Sequence, residues 1–123
     1  MSVTELTKEI SDKHPKVWNK IEIDFETTNY IRVLPDGIYI DCDESYLRIP
    51  FSMLYGLLEN FFEVNNIHFS YHRCYHDESY NNFSHYDLNI HSGKRMIFDR
   101  AENLNECRTI LILGACEILE DRL

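Results

Sequence analysis

Two neighbouring segments of the chain alternate between polar and apolar residues, and the alternation changes parity between them. From Ile67 to His76 the odd-numbered residues are mostly aromatic or apolar, whereas in Phe83–His91 the even-numbered Tyr86, Leu88 and Ile90 are apolar. A period of two is typical of strands with one buried face, and a slip of one residue would move every apolar side chain into water. The pattern therefore predicts an antiparallel hairpin centred on Ser79-Tyr80, in which paired residue numbers sum to 159.

This register predicts that side chains able to bind a metal share one face of the hairpin. It pairs Cys74 with His85 and His72 with Asp87, with Cβ atoms roughly 5 Å apart. Imidazole, thiolate and carboxylate groups at such separations can bind zinc or a similar metal, so these four residues are a candidate metal set. The wider set of candidate ligand-binding residues is His68, His72, Cys74, His76, His85, Asp87, His91, Arg95 and Arg100. The alternatives are a binding face without metal and a plain solvated face, because no established zinc spacing is present.

Three segments predict helices. Ser2–Glu5 fits a capping box, and the helix that follows should stop before Pro15. Pro50 can open a second helix, and Phe51–Val64 is apolar on almost every side, so it is either central to the core or shared with a partner, in a homodimer or in a partner groove. A long C-terminal helix is expected from Arg100 to about Asp121.

Alternation also predicts strands in the first half of the chain. Ile21, Ile23 and Phe25 alternate with acidic residues, which is typical of a half-buried strand. Further strands are expected at Tyr30–Leu34, Ile38–Cys42, Ser45–Ile49 and Arg95–Phe98. The prediction is a single α+β domain: an antiparallel sheet of about five or six strands with an N-terminal helix, a central apolar helix and a long C-terminal helix.

The composition limits which classes of molecule this chain is expected to bind. The 123 residues include 12 Lys and Arg against 21 Asp and Glu, a net charge of −9, which argues against direct binding to nucleic acid or to an anionic membrane. The longest apolar run, Ile110–Cys116, is too short to span a bilayer, and the N-terminus lacks the pattern of a secretory signal. Four cysteines without paired spacing are typical of reduced thiols, so we expect a cytoplasmic protein.

Acidic residues are concentrated between positions 22 and 44. The candidate partner-binding residues are Glu22, Asp24, Glu26, Asp41, Asp43 and Glu44. On strands, acidic residues two apart would lie about 6.6–6.8 Å from each other, close to the phosphate repeat of a DNA strand. Such a ridge could occupy a basic channel on another protein and accelerate its own association. The alternative is an ordinary solvated face.

Three segments resemble parts of small bacteriophage and prophage proteins. They are Ile49–Glu59, Phe98–Glu102 and Ala115–Glu120, which read IPFSMLYGLLE, FDRAE and ACEILE. The resemblance implies a phage-type origin and action in the cytosol of a bacterial host, without a mechanism. Inhibition of host defence enzymes is common among the small acidic phage proteins of known role.

No catalytic motif stands out in the sequence. There is no glycine-rich phosphate loop, no Gly-x-Ser-x-Gly and no His-Glu-x-x-His. We therefore expect a non-enzymatic binding protein, an accessory or anti-defence inhibitor that occupies a site on a host protein through an acidic or apolar surface. The alternative is a small-ligand- or metal-binding domain that uses the His-rich hairpin 68–91, with zinc as the candidate metal.

Overall fold

Four helices and two three-stranded antiparallel sheets make up the part of the chain that the computed structural model describes. These residues are 1–28, 30–78 and 81–123, with side chains at 1–28, 30–75 and 84–123. The elements are α1 (Val3–Lys13), α2 (Pro15–Glu26), β1 (Ile31–Leu34), β2 (Gly37–Asp41), β3 (Tyr46–Arg48), α3 (Phe51–Val64), β4 (His68–Glu78), β5 (Asn81–Ser92), β6 (Arg95–Ala101) and α4 (Leu104–Arg122). The predicted turn at Ser79-Tyr80 lies outside the described residues.

The predicted α+β class is confirmed, with helices at the N-terminus, in the middle and at the C-terminus. The expected single sheet of five or six strands is instead two sheets, with strand orders β1-β2-β3 and β4-β5-β6. Short connections let each group of three strands pair antiparallel with its own sequence neighbours, and helix α3 lies between the groups in the chain.

The predicted strand at Ile21–Glu26 was wrong, because these residues end the helix α2. Pro15 occupies the first turn of this helix, directly after α1 ends. Ile21 and Phe25 are buried, and a spacing of four residues suits both one strand face and one helix face. Ile23, which a strand would have buried beside them, is 73% exposed. Ile21 and Phe25 therefore belong to the buried stripe of a helix, although their spacing also fitted the alternation of a strand.

The caps fix where the first and last helices begin. The Ser2 hydroxyl accepts a hydrogen bond from the Glu5 N–H at 3.1 Å, as the capping box predicts. Helix α4 is capped by Asn103, whose side chain accepts from the Glu106 N–H at 2.8 Å. The helix therefore begins later than expected, and Arg100 lies on strand β6.

Helix α3 is central to the core. Leu54, Leu58, Phe61 and Phe62 are buried, which explains why a helix of 14 residues can be apolar on most sides. The Phe62 ring lies 5.8 Å from that of Phe69 on β4, so α3 covers one end of the second sheet. Among the described residues, no helix has both the length and the hydropathy that crossing a bilayer requires.

Helix α4 covers the same face of the second sheet at close range. A Cβ built at Gly114 would overlap the Cδ1 atom of the fully buried Ile90 on β5, and it would lie 3.6 Å from Cδ1 of Ile97 on β6. The absence of a side chain at position 114 therefore allows the close contact between helix and sheet. On the opposite face of the sheet, the side chains of Met96 and Phe98 are exposed.

We predict that Gly114→Val lowers the free energy of unfolding by about 1–3 kcal/mol, because the added methyl groups overpack the contact between α4 and β5. The matched control is Gly56→Val on α3, where nothing lies within 4 Å of a built Cβ. That variant should be neutral or slightly stabilising. Urea unfolding of both variants measures the difference, and equal effects would contradict the described packing.

Candidate metal centre on the open sheet face

The hairpin of β4 and β5 has the register predicted from the sequence. His68 pairs with His91, His72 with Asp87, and Cys74 with His85. Side chains on a strand alternate between faces, so the apolar series that includes Phe69, Leu88 and Ile90 packs toward helices α3 and α4. The histidines, the cysteine and the aspartate lie on the other face.

Strand β6 extends this face. It pairs with β5 so that Arg100 lies opposite Asp87, Phe98 opposite Asn89 and Met96 opposite His91. We call the surface away from α3 and α4 the open face; its described side chains are His68, Ser70, His72, Cys74, His85, Asp87, Asn89, His91, Met96, Phe98 and Arg100. Phe98 is 69% exposed and Met96 56%.

Asp87 is the central contact of the open face. The Cys74 Sγ donates to its Oδ2 at 3.3 Å, and the His72 Nε2 lies 3.8 Å from the same oxygen. Its Oδ1 accepts from the Arg100 Nε at 3.3 Å and lies 3.2 Å from the His85 Nε2. One carboxylate therefore bridges all three strands of the sheet.

Three possible metal ligands converge at this carboxylate. Donor atoms of His72, Cys74 and Asp87 all lie within 4.8 Å of one another. In a tetrahedral zinc site with bonds of 2.0–2.3 Å, ligand atoms are roughly 3.3–3.8 Å apart. Two of the measured separations, 3.3 and 3.8 Å, are already in that range. The third separation, at most 4.8 Å, would need a side-chain movement of up to about 1–1.5 Å to reach the same spacing.

His85, the fourth residue of the predicted metal set, does not belong to the convergent group. His85 is buried, and its Nε2 lies against Oδ1 of Asp87 rather than within the convergent group. Arg100 donates to the same oxygen. These contacts hold the carboxylate with Oδ2 toward Cys74 and His72, which is how a second layer of residues orients a metal ligand.

The thiol and the carboxylate shift each other's pKa in opposite directions. Partial burial of Cys74, and then its hydrogen bond to Asp87, raise the pKa of the thiol. The same hydrogen bond, together with Arg100 and His85, lowers the pKa of Asp87. At neutral pH the site therefore holds a protonated thiol against an ionised carboxylate, and a metal ion would replace that proton.

The other predicted ligand residues lie at varying distances from this centre. The rings of His68 and His91 lie with centroids 5.3 Å apart and are tilted by 34°, four pairs along the hairpin from His72. Arg95 was predicted near the site but forms ion pairs with Asp121, at 2.6 Å, and with Glu117 of α4, because its side chain is on the opposite face of β6 from Arg100. The side chain of His76 lies outside the described residues.

The predicted acidic ridge does not have the geometry expected of it. Glu22, Asp24 and Glu26 lie on helix α2, where residues two apart point to opposite sides. They therefore do not follow a strand with a repeat of about 6.6–6.8 Å. Their role in binding a partner stays a prediction.

The acidic residues after β2 are arranged in a turn. Asp41 is the last residue of β2 and pairs with Arg32 at 3.2 Å. The Asp43 N–H donates to Asp41 Oδ1, and Asp43 itself has a left-handed backbone (φ 67°). Glu44 is exposed in the same turn. Asp41 is thus partly neutralised, and a strand face shared by Asp41 and Asp43 is not formed.

Sequence reasoning missed Met96 and Phe98 as neighbours of the candidate site. The available signal was Gly93-Lys94, a two-residue turn with positive φ at Gly93, between alternating strands. Pairing Ser92 with Arg95 across that turn puts Met96, Phe98 and Arg100 on the face of Asp87. The sequence analysis ended this strand too early, because it assigned Arg100 to the following helix.

Comparisons with known proteins give no family for this fold or site. No family model matches the chain, and no curated protein and no solved structure matches it either. The resemblance of three segments to phage proteins stays a prediction. Function is therefore argued from the chemistry of the site itself.

We predict that the Cys74 thiol is alkylated slowly at neutral pH, because its raised pKa leaves little thiolate. Asp87→Asn keeps an acceptor oxygen but removes the negative charge that helps to raise the pKa of the thiol, so it should accelerate alkylation of Cys74 by up to about tenfold for each pKa unit recovered. Peptide mass spectrometry after iodoacetamide treatment measures the rate at each cysteine. The exposed Cys42 is the internal control, and an unchanged Cys74 rate in the variant would contradict the assigned contact.

Proposed function

We propose that this chain is a metal-binding protein that takes a zinc-type divalent ion at His72, Cys74 and Asp87. The observation that carries the proposal is the convergence of an imidazole nitrogen, a thiol sulfur and a carboxylate oxygen within 4.8 Å. Mixed nitrogen, sulfur and oxygen ligands of this kind suit zinc better than magnesium or calcium, which prefer oxygen alone.

The surroundings of the three side chains support the proposal. His72 is 72% exposed, so an ion can reach the site from solvent, while the Asp87 carboxylate is held by Arg100 and His85. Asp87 and a deprotonated Cys74 would together balance the two positive charges of the ion. Arg100, which Asp87 balances before metal binding, then keeps a positive charge at the site, in a chain whose net charge is −9.

The geometry favours this function over inhibition of a host protein through an acidic ridge. That alternative needs Glu22, Asp24 and Glu26 on one face, and the helix α2 turns Asp24 away from the other two. It also needs a free carboxylate at Asp41, which is paired with Arg32, although Asp43 and Glu44 are exposed in the turn that follows. The metal site needs only the register that β4 and β5 already have.

We expect the purified, tag-free protein to bind one zinc ion per chain in a calorimetric titration at pH 7. Cys74→Ser and His72→Asn should each weaken the affinity by about a hundredfold or more, since each removes a direct ligand, and loss of a supporting contact alone costs 10–100-fold. Cys42→Ser is the matched control, because that exposed thiol lies outside the open face. Its affinity should equal that of the unsubstituted chain.

The same titration should release about one proton per zinc ion, because the Cys74 thiol is protonated before binding. Repeating it in buffers of different ionisation enthalpy measures the proton count. Affinity should fall as the pH falls, since protons then compete with the metal for the sulfur. Substoichiometric zinc, or a Cys74→Ser variant that binds as tightly as the parent, would contradict the function.

A further inference from the structure

A cavity of about 290 Å³ lies between helix α1, helix α2 and the turn that joins β1 to β2. Its volume is close to the lower limit of small-molecule pockets, roughly 300–1,000 Å³, which suits a ligand smaller than a drug. The residues that line it belong to the two N-terminal helices and to the first sheet. The cavity is therefore separate from the candidate metal centre, which lies on the second sheet.

The buried part of the lining combines an aromatic ring with a hydroxyl group. Trp18 is 7% exposed and Thr7 is 2% exposed, and both line the cavity. The indole of Trp18 offers a flat apolar surface on which another ring can pack. The Thr7 hydroxyl donates within its own helix, to the carbonyl oxygens of Val3 and Thr4, and its lone pairs can still accept from a ligand. The buried lining therefore suits a ligand that has an apolar ring and an N–H donor.

The exposed rim of the cavity carries charges of both signs. Lys8 and Asp12 lie four residues apart on α1, and Asp36 is in the turn between β1 and β2. The Tyr39 hydroxyl donates to Asp36 Oδ2 at 2.8 Å and so helps to hold this carboxylate in place. Residues four apart on a helix have Cβ atoms about 5–6 Å apart, so Lys8 and Asp12 can contact adjacent groups of one ligand. The rim therefore suits a ligand with an anionic and a cationic group close together.

We propose that this cavity binds a free α-amino acid with an aromatic side chain. The ring packs on Trp18, and the α-carboxylate binds the Lys8 ammonium group. The α-ammonium group binds the rim carboxylates of Asp12 and Asp36, and the Thr7 hydroxyl can accept a further N–H. The inference is independent of the proposed metal binding, because every described residue that lines the cavity lies outside the open face.

The balance of charge favours a zwitterion over a simple amine or a simple carboxylate. Two carboxylates and Lys8 lie on the rim, and Arg48 adds a second positive charge where it donates to the Thr4 hydroxyl at 2.7 Å. A simple amine would leave the positive groups without a partner, and a simple carboxylate would do the same to the negative groups. A simple anion is also disfavoured by the net charge of −9. An α-amino acid meets each rim charge with an opposite one.

Trp18 is the only tryptophan of the chain, so tryptophan emission reports directly on the cavity. The test is a titration of the full chain with L-phenylalanine, followed by tryptophan emission and repeated by calorimetry. We expect one phenylalanine per chain and a shift of the emission to shorter wavelength, because the ligand displaces water from the indole. The affinity should be about millimolar or tighter, as expected for a ligand of this size.

Three analogues each remove one part of the ligand. Phenethylamine lacks the carboxylate, phenylpropionate lacks the ammonium group, and glycine lacks the ring. Each should bind at least about threefold more weakly than phenylalanine, the loss expected for one contact. An analogue that binds as tightly as phenylalanine would overturn the proposed class of ligand. Phenylalanine that does not bind at about ten times the expected dissociation constant would overturn the site itself.

The variant Lys8→Gln tests the assigned contact with the carboxylate. It should weaken the binding of phenylalanine about two- to tenfold and should not weaken that of phenethylamine, because variant and analogue remove the same interaction. Lys20→Gln is the matched control, since this exposed lysine of α2 lies outside the cavity, and it should leave both affinities unchanged.

Equal losses for both ligands in Lys8→Gln, or equal effects of the two lysine variants, would overturn the assigned contact. The titrations contain no zinc, so their failure is distinguishable from a failure of the proposed metal binding.

Discussion

The pairing register of β4 and β5 is the constraint on which the candidate site depends. Helices α3 and α4 pack on one face of the second sheet, and close contact at Gly114 fixes which side chains point toward them. A slip of one residue would bury polar side chains against α4 and expose Leu88 and Ile90. Core packing therefore selects the register, and the register brings the donor atoms of His72, Cys74 and Asp87 together.

Within that register, Asp87 determines the electrostatics of the open face. It lies on the central strand, so it reaches Cys74 on one side and Arg100 on the other. Partial burial, and then the hydrogen bond to this carboxylate, raise the pKa of the thiol, while the pKa of Asp87 is lowered by the thiol, Arg100 and His85. The site therefore holds a proton where a metal ion can be held. Under the proposed function, a metal ion bound to the sulfur would replace this proton.

Much of the second sheet could be predicted from the sequence, because its strands alternate cleanly and their neighbours in sequence are their neighbours in space. The first half of the chain was harder to predict from the sequence. Ile21 and Phe25 fit a strand face and a helix face equally well, and only tertiary packing, with Ile23 exposed, decides for the helix. The position of Arg100 depended on where β6 ends and on the Asn103 cap. Convergence of three donor atoms follows from side-chain rotamers, which no sequence pattern specifies.

X-ray absorption at the zinc edge of the zinc-loaded protein tests the central claim most directly, because it reports the atoms bound to the metal. The account predicts a four-coordinate shell with one sulfur at about 2.3 Å and nitrogen or oxygen ligands at about 2.0–2.2 Å. The sulfur should disappear from the shell in Cys74→Ser. A shell of nitrogen and oxygen alone in the unsubstituted protein, or a sulfur that persists in that variant, would contradict the assignment of the metal centre.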